Sequence, residues 1–417
     1  MGGDPLMLAR VQFALTAGTH FLFVALTLGL ATLVALTQTR ATVSGSAVHA
    51  RMVRFWGQLY VVNYAVGIVT GLVMEFQFGL NWSGLSRVSG SVFGAPLALE
   101  TIVAFFVEST FLGLWIFGWD RLNRWVHLAL IWVVTLTAYL SAYFVLVANG
   151  WLQRPVGFEM VDGTARLTDA GALLANPTAL LAFFHVLFGG LLTAGFFMAG
   201  VSGFHLLRRT AEVEFFRRSM RIGLLAVIVS VMPVVVFGGM QFRYAQPTKT
   251  GGDGAAAAAV AGFTARFGPG DYVAPAAARV GEGLMVTMWL LMVLVAVVAL
   301  VKFPFGGWLV RGRVFHVLVI AAVPLPYVAM ISGWVFREVG RQPWMVYGVL
   351  KTEDALSPGV GAGTVAVSFA VFSVLFAALF GVNAWLLARF ARRGPGGAGL
   401  GASPPVEPAA AVLNPTF

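Results

Sequence analysis

Apolar residues run along this chain in blocks far longer than a soluble core requires, and polar residues gather between them. A hydrocarbon layer about 30 Å thick needs ~20 apolar residues per helical crossing. Nine stretches reach that length, at roughly 12–36, 55–78, 96–118, 126–149, 179–206, 222–240, 283–301, 314–336 and 364–388. The pattern predicts an all-α integral membrane protein, a bundle of nine transmembrane helices within residues 1–393. The first block begins soon after Arg10 and exceeds the ~7–15 residues of a signal-peptide core, so it counts as a helix. From Gly394 the chain reads GPGGAGLGASPPVEPAAAVLNPTF, an expected disordered tail over 394–417.

Composition sharpens this picture. Of 417 residues 59% are hydrophobic and 11% charged, against about 25% charged in soluble domains. The net charge of +10 invites a nucleic-acid reading, but the basic residues follow topology instead. They cluster after the first, third, fifth and seventh blocks and at the start of the tail, as in Arg208, Arg209, Arg217, Arg218 and Arg221. That face is expected to be cytoplasmic, which puts the N-terminus outside and the C-terminus in the cytoplasm. The absence of cysteine excludes disulfides, iron–sulfur clusters and covalently attached haem. Two outer loops are long, 150–178 and 241–282. The second carries GGDGAAAAAVAGFTARFGPGDY, low in polar information and expected to be mobile.

Ionisable residues inside a span cost several kcal/mol at the bilayer centre and mark functional sites by default. Six qualify: His20, Glu75, Glu100, Glu108, His185 and Glu338. Helices 1 and 5 run inward and helix 8 outward, so His20, His185 and Glu338 fall at similar depth in the outer half, and Met285 begins helix 7 on that side. Imidazole, thioether and carboxylate all ligate iron. Each also has a plain structural reading. A lone intramembrane histidine can bond an interhelical carbonyl, a methionine fills core gaps, and Glu338 can pair with Arg341 at the interface. Glu100 and Glu108 are harder to dismiss. Eight residues separate them by about 12 Å and less than a quarter turn, so two carboxylates descend one side of helix 3, a ladder suited to proton transfer. Glu75, near the outer end of helix 2, reads as a structural or interfacial group.

Several separated motifs then point together: ARVQFALTAGTHFLFVALTLGL, MEFQFGLNWS, FGAPLALETIVAFFVESTFLGLWIFGWDRL, VANGWLQRPVG, FFHVLFGGLLTAGFF and PLPYVAMISGWVFREVGRQPW. Across nearly all nine helices the chain resembles subunit I of the cytochrome bd oxygen reductases. The resemblance implies a haem-bearing catalytic subunit in a bacterial cytoplasmic membrane that oxidises quinol on the outer side and reduces O2 to water without copper, with protons from the cytoplasm. It implies three cofactors, a low-spin haem b, a high-spin haem b and haem d. His185 and Met285 would be the axial ligands of the low-spin haem, and His20 and Glu338 the ligands of the high-spin pair. Glu100 would stand beside them as a ligand or proton donor, Glu108 would lie on a proton path, and Arg341, Trp334 and Arg10 would be neighbours. The partners implied are subunit II and a small single-helix accessory subunit.

The chain departs from the family in its shortened quinol loop. RYAQPTKTGGDGAAAAAV keeps Gln246 and Lys249 as quinol-binding candidates, but the glutamate expected after them falls in the polyalanine, where Asp253 is the nearest acid. Two alternatives stay open: a bd-type reductase fed by another donor such as a periplasmic cytochrome, and a proton-coupled transporter.

Overall fold

The computed structural model describes residues 4–250, 253–303 and 306–401. Among them, nine helical stretches are long and apolar enough to cross a membrane. The first two spans are α1 (Pro5–Ser44) and α2 (Ala47–Leu80). The third is composite: α3 (Ser83–Leu99), a π-helical segment (Glu100–Phe105) and α4 (Phe106–Phe117). Next come α5 (Arg124–Gln153), a hairpin of β1 (Phe158–Val161) and β2 (Thr164–Leu167), the short α6 (Ala170–Leu174), α7 (Pro177–Leu207) and α8 (Val213–Met240). The second long loop holds α9 (Pro247–Thr250) and α10 (Asp253–Phe267). After α11 (Ala276–Lys302) and the short α12 (Gly306–Arg311), one span is built from α13 (Arg313–Ala322) and α14 (Pro324–Val339). The strands β3 (Trp344–Val346) and β4 (Leu350–Lys351) precede the last span, α15 (Ala362–Arg393).

Local chemistry sets the ends. Asp4 accepts from the Leu6 amide ahead of Pro5, and Asn176 accepts from the Thr178 amide ahead of Pro177, so both helices start on an N-cap and a proline that lacks the unneeded N–H. Asp162 and Gly163 turn the β1–β2 hairpin at φ 51° and 78°, the paired positive values that a two-residue type I′ turn needs.

Small residues set the packing. A Cβ on Gly29 of α1 would stand 2.1 Å from the Gly190 carbonyl of α7, and one on Gly195 of α7 would stand 2.8 Å from the Gly223 carbonyl of α8. Backbones approach this closely in membranes because small side chains, not apolar burial, let helices attract one another. Around these crossings the bundle is filled by Phe55, Trp56, Trp115, Phe196, Phe215 and Phe216, all buried. Asn63 ties three helices together, donating to the Phe23 carbonyl at 2.8 Å and accepting from Asn383 at 3.0 Å.

Three expectations change. Helix 7 starts at Ala276 rather than near 283, so Met285 sits over two turns inside it instead of beginning it. The polyalanine stretch expected to be mobile is the ordered helix α10, held where Phe263 and Phe267 meet Trp344 at 4.7 and 4.9 Å. The tail does not leave the bundle at Gly394: the Gly399 amide donates to Gln58 at 2.9 Å and Leu400 is buried, while 402–417 lie outside the described residues.

Candidate active site

The bundle opens around a cavity of about 760 Å³ between α1, α2, the π segment, α4, α5 and α14. Most of the residues predicted for the site line it: Arg10, His20, Glu100, Glu108, Trp334, Glu338 and Arg341. His185 and Met285 do not. The group expected at one depth is thus divided between this cavity and a second place beside it.

Glu338 closes one end. Its carboxylate accepts from Arg341 Nη2 at 2.6 Å, from Asn149 Nδ2 at 2.9 Å and from Gln153 Nε2 at 3.3 Å. Arg337 stands 3.9 Å away and donates its Nε to Asn149 Oδ1 at 2.7 Å. Two guanidiniums therefore share one carboxylate, leaving the cluster with a surplus positive charge. Several of their donors are buried with no partner among the described residues: Arg341 Nε and Nη1, and Arg337 Nη2. A buried charged donor left unpaired is costly, so the cluster is built to receive a further anionic group.

His20 faces the same space. Its Nδ1 is 2.9 Å from Thr70 Oγ1, which donates its single proton to the Val66 and Gly67 carbonyls at 3.0 and 2.9 Å. The hydroxyl then accepts from Nδ1–H, which fixes the tautomer and leaves Nε2 as a free base. The imidazole fits against α2 because Gly71 has no Cβ; one placed there would meet its Cε1 at 3.1 Å. Phe21, next in sequence, stacks on Trp334 at 5.6 Å.

The π segment alters the carboxylate ladder. One wide turn inserts a residue into the helical register and shifts everything after it by about 100°, which cancels most of the offset between positions 100 and 108. Glu100 and Glu108 thus line one cavity. Glu100 accepts from Ser141 at 2.6 Å and Thr101 at 3.3 Å, and Thr101 also reaches Glu75 at 3.1 Å. Glu75 belongs to this acidic group, a correction to its reading as a peripheral polar residue.

His185 of α7 donates Nδ1–H to the Val234 carbonyl at 2.8 Å, again leaving Nε2 free. Gly238 lies opposite, where a Cβ would come within 2.9 Å of the ring, and a Cβ on Gly333 would stand 2.8 Å from the Met285 sulfur. Among the described residues no three His, Asp or Glu side chains gather as a bare-metal site. Candidate ligands set this far apart would suit a group that brings most of its own donor atoms.

The long loop docks on the Glu338 end. Gln246 Nε2 donates at 2.8 Å to the carbonyl of Gln153, the residue whose own Nε2 reaches Glu338 at 3.3 Å. Lys249 lies 4.2 Å from the Phe336 ring centroid and donates to the Arg337 carbonyl at 3.4 Å. Burial, then Arg337, pull the Lys249 ammonium down to about 7, with Arg341 acting in the same direction and Glu338 and Glu282 opposing. Trp344 stacks on Tyr272 at 5.7 Å and anchors the far side of the loop. Asp253 opens α10, but its side chain lies outside the described residues.

Asn149, Gln153, Ser141 and Thr70 escaped the sequence reading. Asn149 and Gln153 sit in the quoted VANGWLQRPVG motif, which was a usable signal. Ser141 and Thr70 are hydroxyls among many in the spans, and only their three-dimensional neighbours distinguish them.

This architecture has a known counterpart. Over 94% of its length the protein matches the whole of one chain in a solved structure, the bd oxidase from Geobacillus thermodenitrificans, with a TM-score of 0.83 and 26% identity. The fold is therefore that of a chain of this bd oxidase. The family model Cytochrome bd terminal oxidase subunit I matches residues 8–265 and 272–395, and the chain belongs to that family. It is 37% identical to cytochrome bd ubiquinol oxidase subunit 1 of Bacillus subtilis over 93% of this chain and 94% of that protein. Similarity to cytochrome bd-II ubiquinol oxidase subunit 1 of Escherichia coli is 46% over 54% of this chain and 45% of that one. Membership makes this a haem-binding subunit of a multi-subunit membrane complex. The residues present fit haem: two imidazoles with free Nε2 atoms, a buried carboxylate and unpaired guanidinium donors for acidic side groups.

Proposed function

We propose that the chain is the catalytic subunit of a quinol:O2 oxidoreductase, with electrons and protons reaching one buried cavity from opposite sides. The reading is carried by the single cavity that unites His20 and Glu338 with the carboxylates Glu100 and Glu108. His185 and Met285 hold a low-spin haem b, while His20 and Glu338 hold the high-spin haem b and haem d. When bound, these groups supply the electron path and the iron at which O2 is reduced to water.

The chain's own residues do the rest. Lys249, protonated below about 7, offers an ammonium to a quinol oxygen, and Gln246 locks the loop to Gln153 so that this donor stays beside the haem end. Arg341 and Arg337 neutralise Glu338 and take acidic side groups through their free N–H donors. Oxygen takes up as many protons as electrons on its way to water. In a medium of low dielectric an uncompensated charge is heavily penalised, so each electron needs a proton close at hand. Glu108 passes protons from the arginine-rich, cytoplasmic side to Glu100, where Ser141 and Thr101 hold the receiving carboxylate. The quinol loop lies on the outer side, beside the N-terminus of α1, and the complex includes subunit II and a small single-helix subunit.

A dithionite-reduced minus air-oxidised optical spectrum of the purified complex, with haem extraction, tests this reading. A low-spin b signal with a red chlorin band is expected, and a haem-free preparation would overturn it.

A further inference from the structure

Two phenols on α2 have no assigned work. Tyr60 and Tyr64 are 0% and 7% exposed, their rings lie one helical turn apart with centroids 5.8 Å from each other, and both sit in the field of Glu108. Neither hydroxyl has a hydrogen-bond partner among the described residues, and neither does Glu108 Oε1. Buried polar atoms are almost always paired, by protein or by ordered water. Tyr60 and Tyr64 on α2 and Glu108 on α4 carry three such atoms, which bridging water would satisfy. Ser109, whose Oγ donates to the Phe105 carbonyl at 2.8 Å, adds a further hydroxyl near Tyr64.

The group has two ends. Tyr64 and Glu108 both line the large cavity. Tyr60 lies one turn from Gly57, against which Trp115 packs, with Cη2 2.7 Å from where a Cβ would stand. Trp115 donates Nε1–H to Gln38 at 2.9 Å, and Gln38 donates to His127 at 3.0 Å, at the arginine-rich end of the bundle. This bonded set ends against Gly57, one turn before Tyr60, and Tyr60 and Tyr64 continue along α2 toward the carboxylate.

We propose that Tyr60 and Tyr64 form a hydroxyl relay that delivers protons to Glu108, an inference that rests on the proton route through Glu108 proposed above. Each phenol accepts a proton on one side while releasing its own on the other, so it is left unchanged and never ionises. A hydroxyl is suited to this because it donates and accepts at one atom.

The test uses the intact complex with Tyr60→Phe and Tyr64→Phe, singly and together, beside Glu108→Gln. Phenylalanine removes only the oxygen, and unchanged haem spectra certify the fold. The double variant should lose turnover about tenfold or more, with a larger H2O/D2O rate ratio. The infrared carbonyl stretch that disappears in Glu108→Gln should shift in Tyr64→Phe, a change that a purely packing role would not produce. If Glu108→Gln is slow while the double variant keeps wild-type turnover, isotope ratio and band position, the relay is wrong and the Glu108 route stands. If Glu108→Gln is as fast as wild type, the route itself fails and the relay with it. Should the double variant not assemble, the single Tyr64→Phe variant and its infrared band decide the matter.

Discussion

Toward the arginine-rich loops the helices touch, and toward the long loops they part. In the first half Gly29, Gly190, Gly195 and Gly223 bring backbones into contact and buried aromatics fill the rest. His205 shows what a histidine does there: it stacks on Phe216 at 4.0 Å and its Nε2 bonds the Ala391 carbonyl at 2.7 Å. In the second half His20 and His185 each bond a neighbour through Nδ1 and keep Nε2 free. His205 uses its ring face in packing, whereas His20 and His185 present the Nε2 to which we assign a ligand role. One half is a clamp, and the other is a cradle whose polar atoms await their partner.

The sharpest way to break this contrast is to damage the clamp. Gly29→Leu puts a side chain where Gly190 already stands, and folded protein in the membrane should fall more than tenfold. Gly381→Leu meets nothing within 4 Å and should leave the yield unchanged, as judged by size-exclusion chromatography of detergent extracts. Next in size is the cradle itself. Glu338→Ala strands Arg337 and Arg341 as unpaired buried charges, and turnover of O2 should drop at least ~100-fold with the protein still assembled, measured with an oxygen electrode.

Smaller effects sharpen the picture. Lys249→Gln should raise the KM for quinol about tenfold, roughly 1.4 kcal/mol, without altering haem content. The wild-type KM should climb as pH rises through about 7, where the ammonium is lost, and the variant should lack that step. Stability carries the same signature with a definite sign. Between about 7 and the ordinary 10.5 the unfolded chain holds a proton that the folded protein has released, so stability rises with pH across that window. Lys249→Gln should flatten the rise in a thermal-unfolding series. The smallest effect belongs to Thr70→Val, which frees the His20 tautomer. Activity should fall up to ~10-fold, with the haem band shifted rather than lost.

The spans were legible because ~20 consecutive apolar residues have few other uses, and the site residues stood out because charge in such runs is expensive. What stayed hidden was tertiary. Nothing in ETIVAF announces a π segment, and the hydrogen bonds it makes, Ser141 to Glu100 and Thr101 to Glu75, involve distant parts of the chain. Composition misled at DGAAAAAVAGFTARF: alanine looks uninformative as side-chain chemistry yet is the best helix former, and Phe263 supplies the anchor. Glu75 was set aside for its position near a helix end, but the bridge through Thr101 brings it to Glu100.

The central claim is that two separate places hold the candidate ligands, one at His185 and one in the cavity with Glu338. Reduced-minus-oxidised spectra of His185→Ala and Glu338→Ala, recorded side by side on assembled complex, test it most directly. The account predicts that the first variant loses only the low-spin signal and the second only high-spin signals. Loss of high-spin bands alone in His185→Ala, or unchanged spectra in Glu338→Ala, would contradict it.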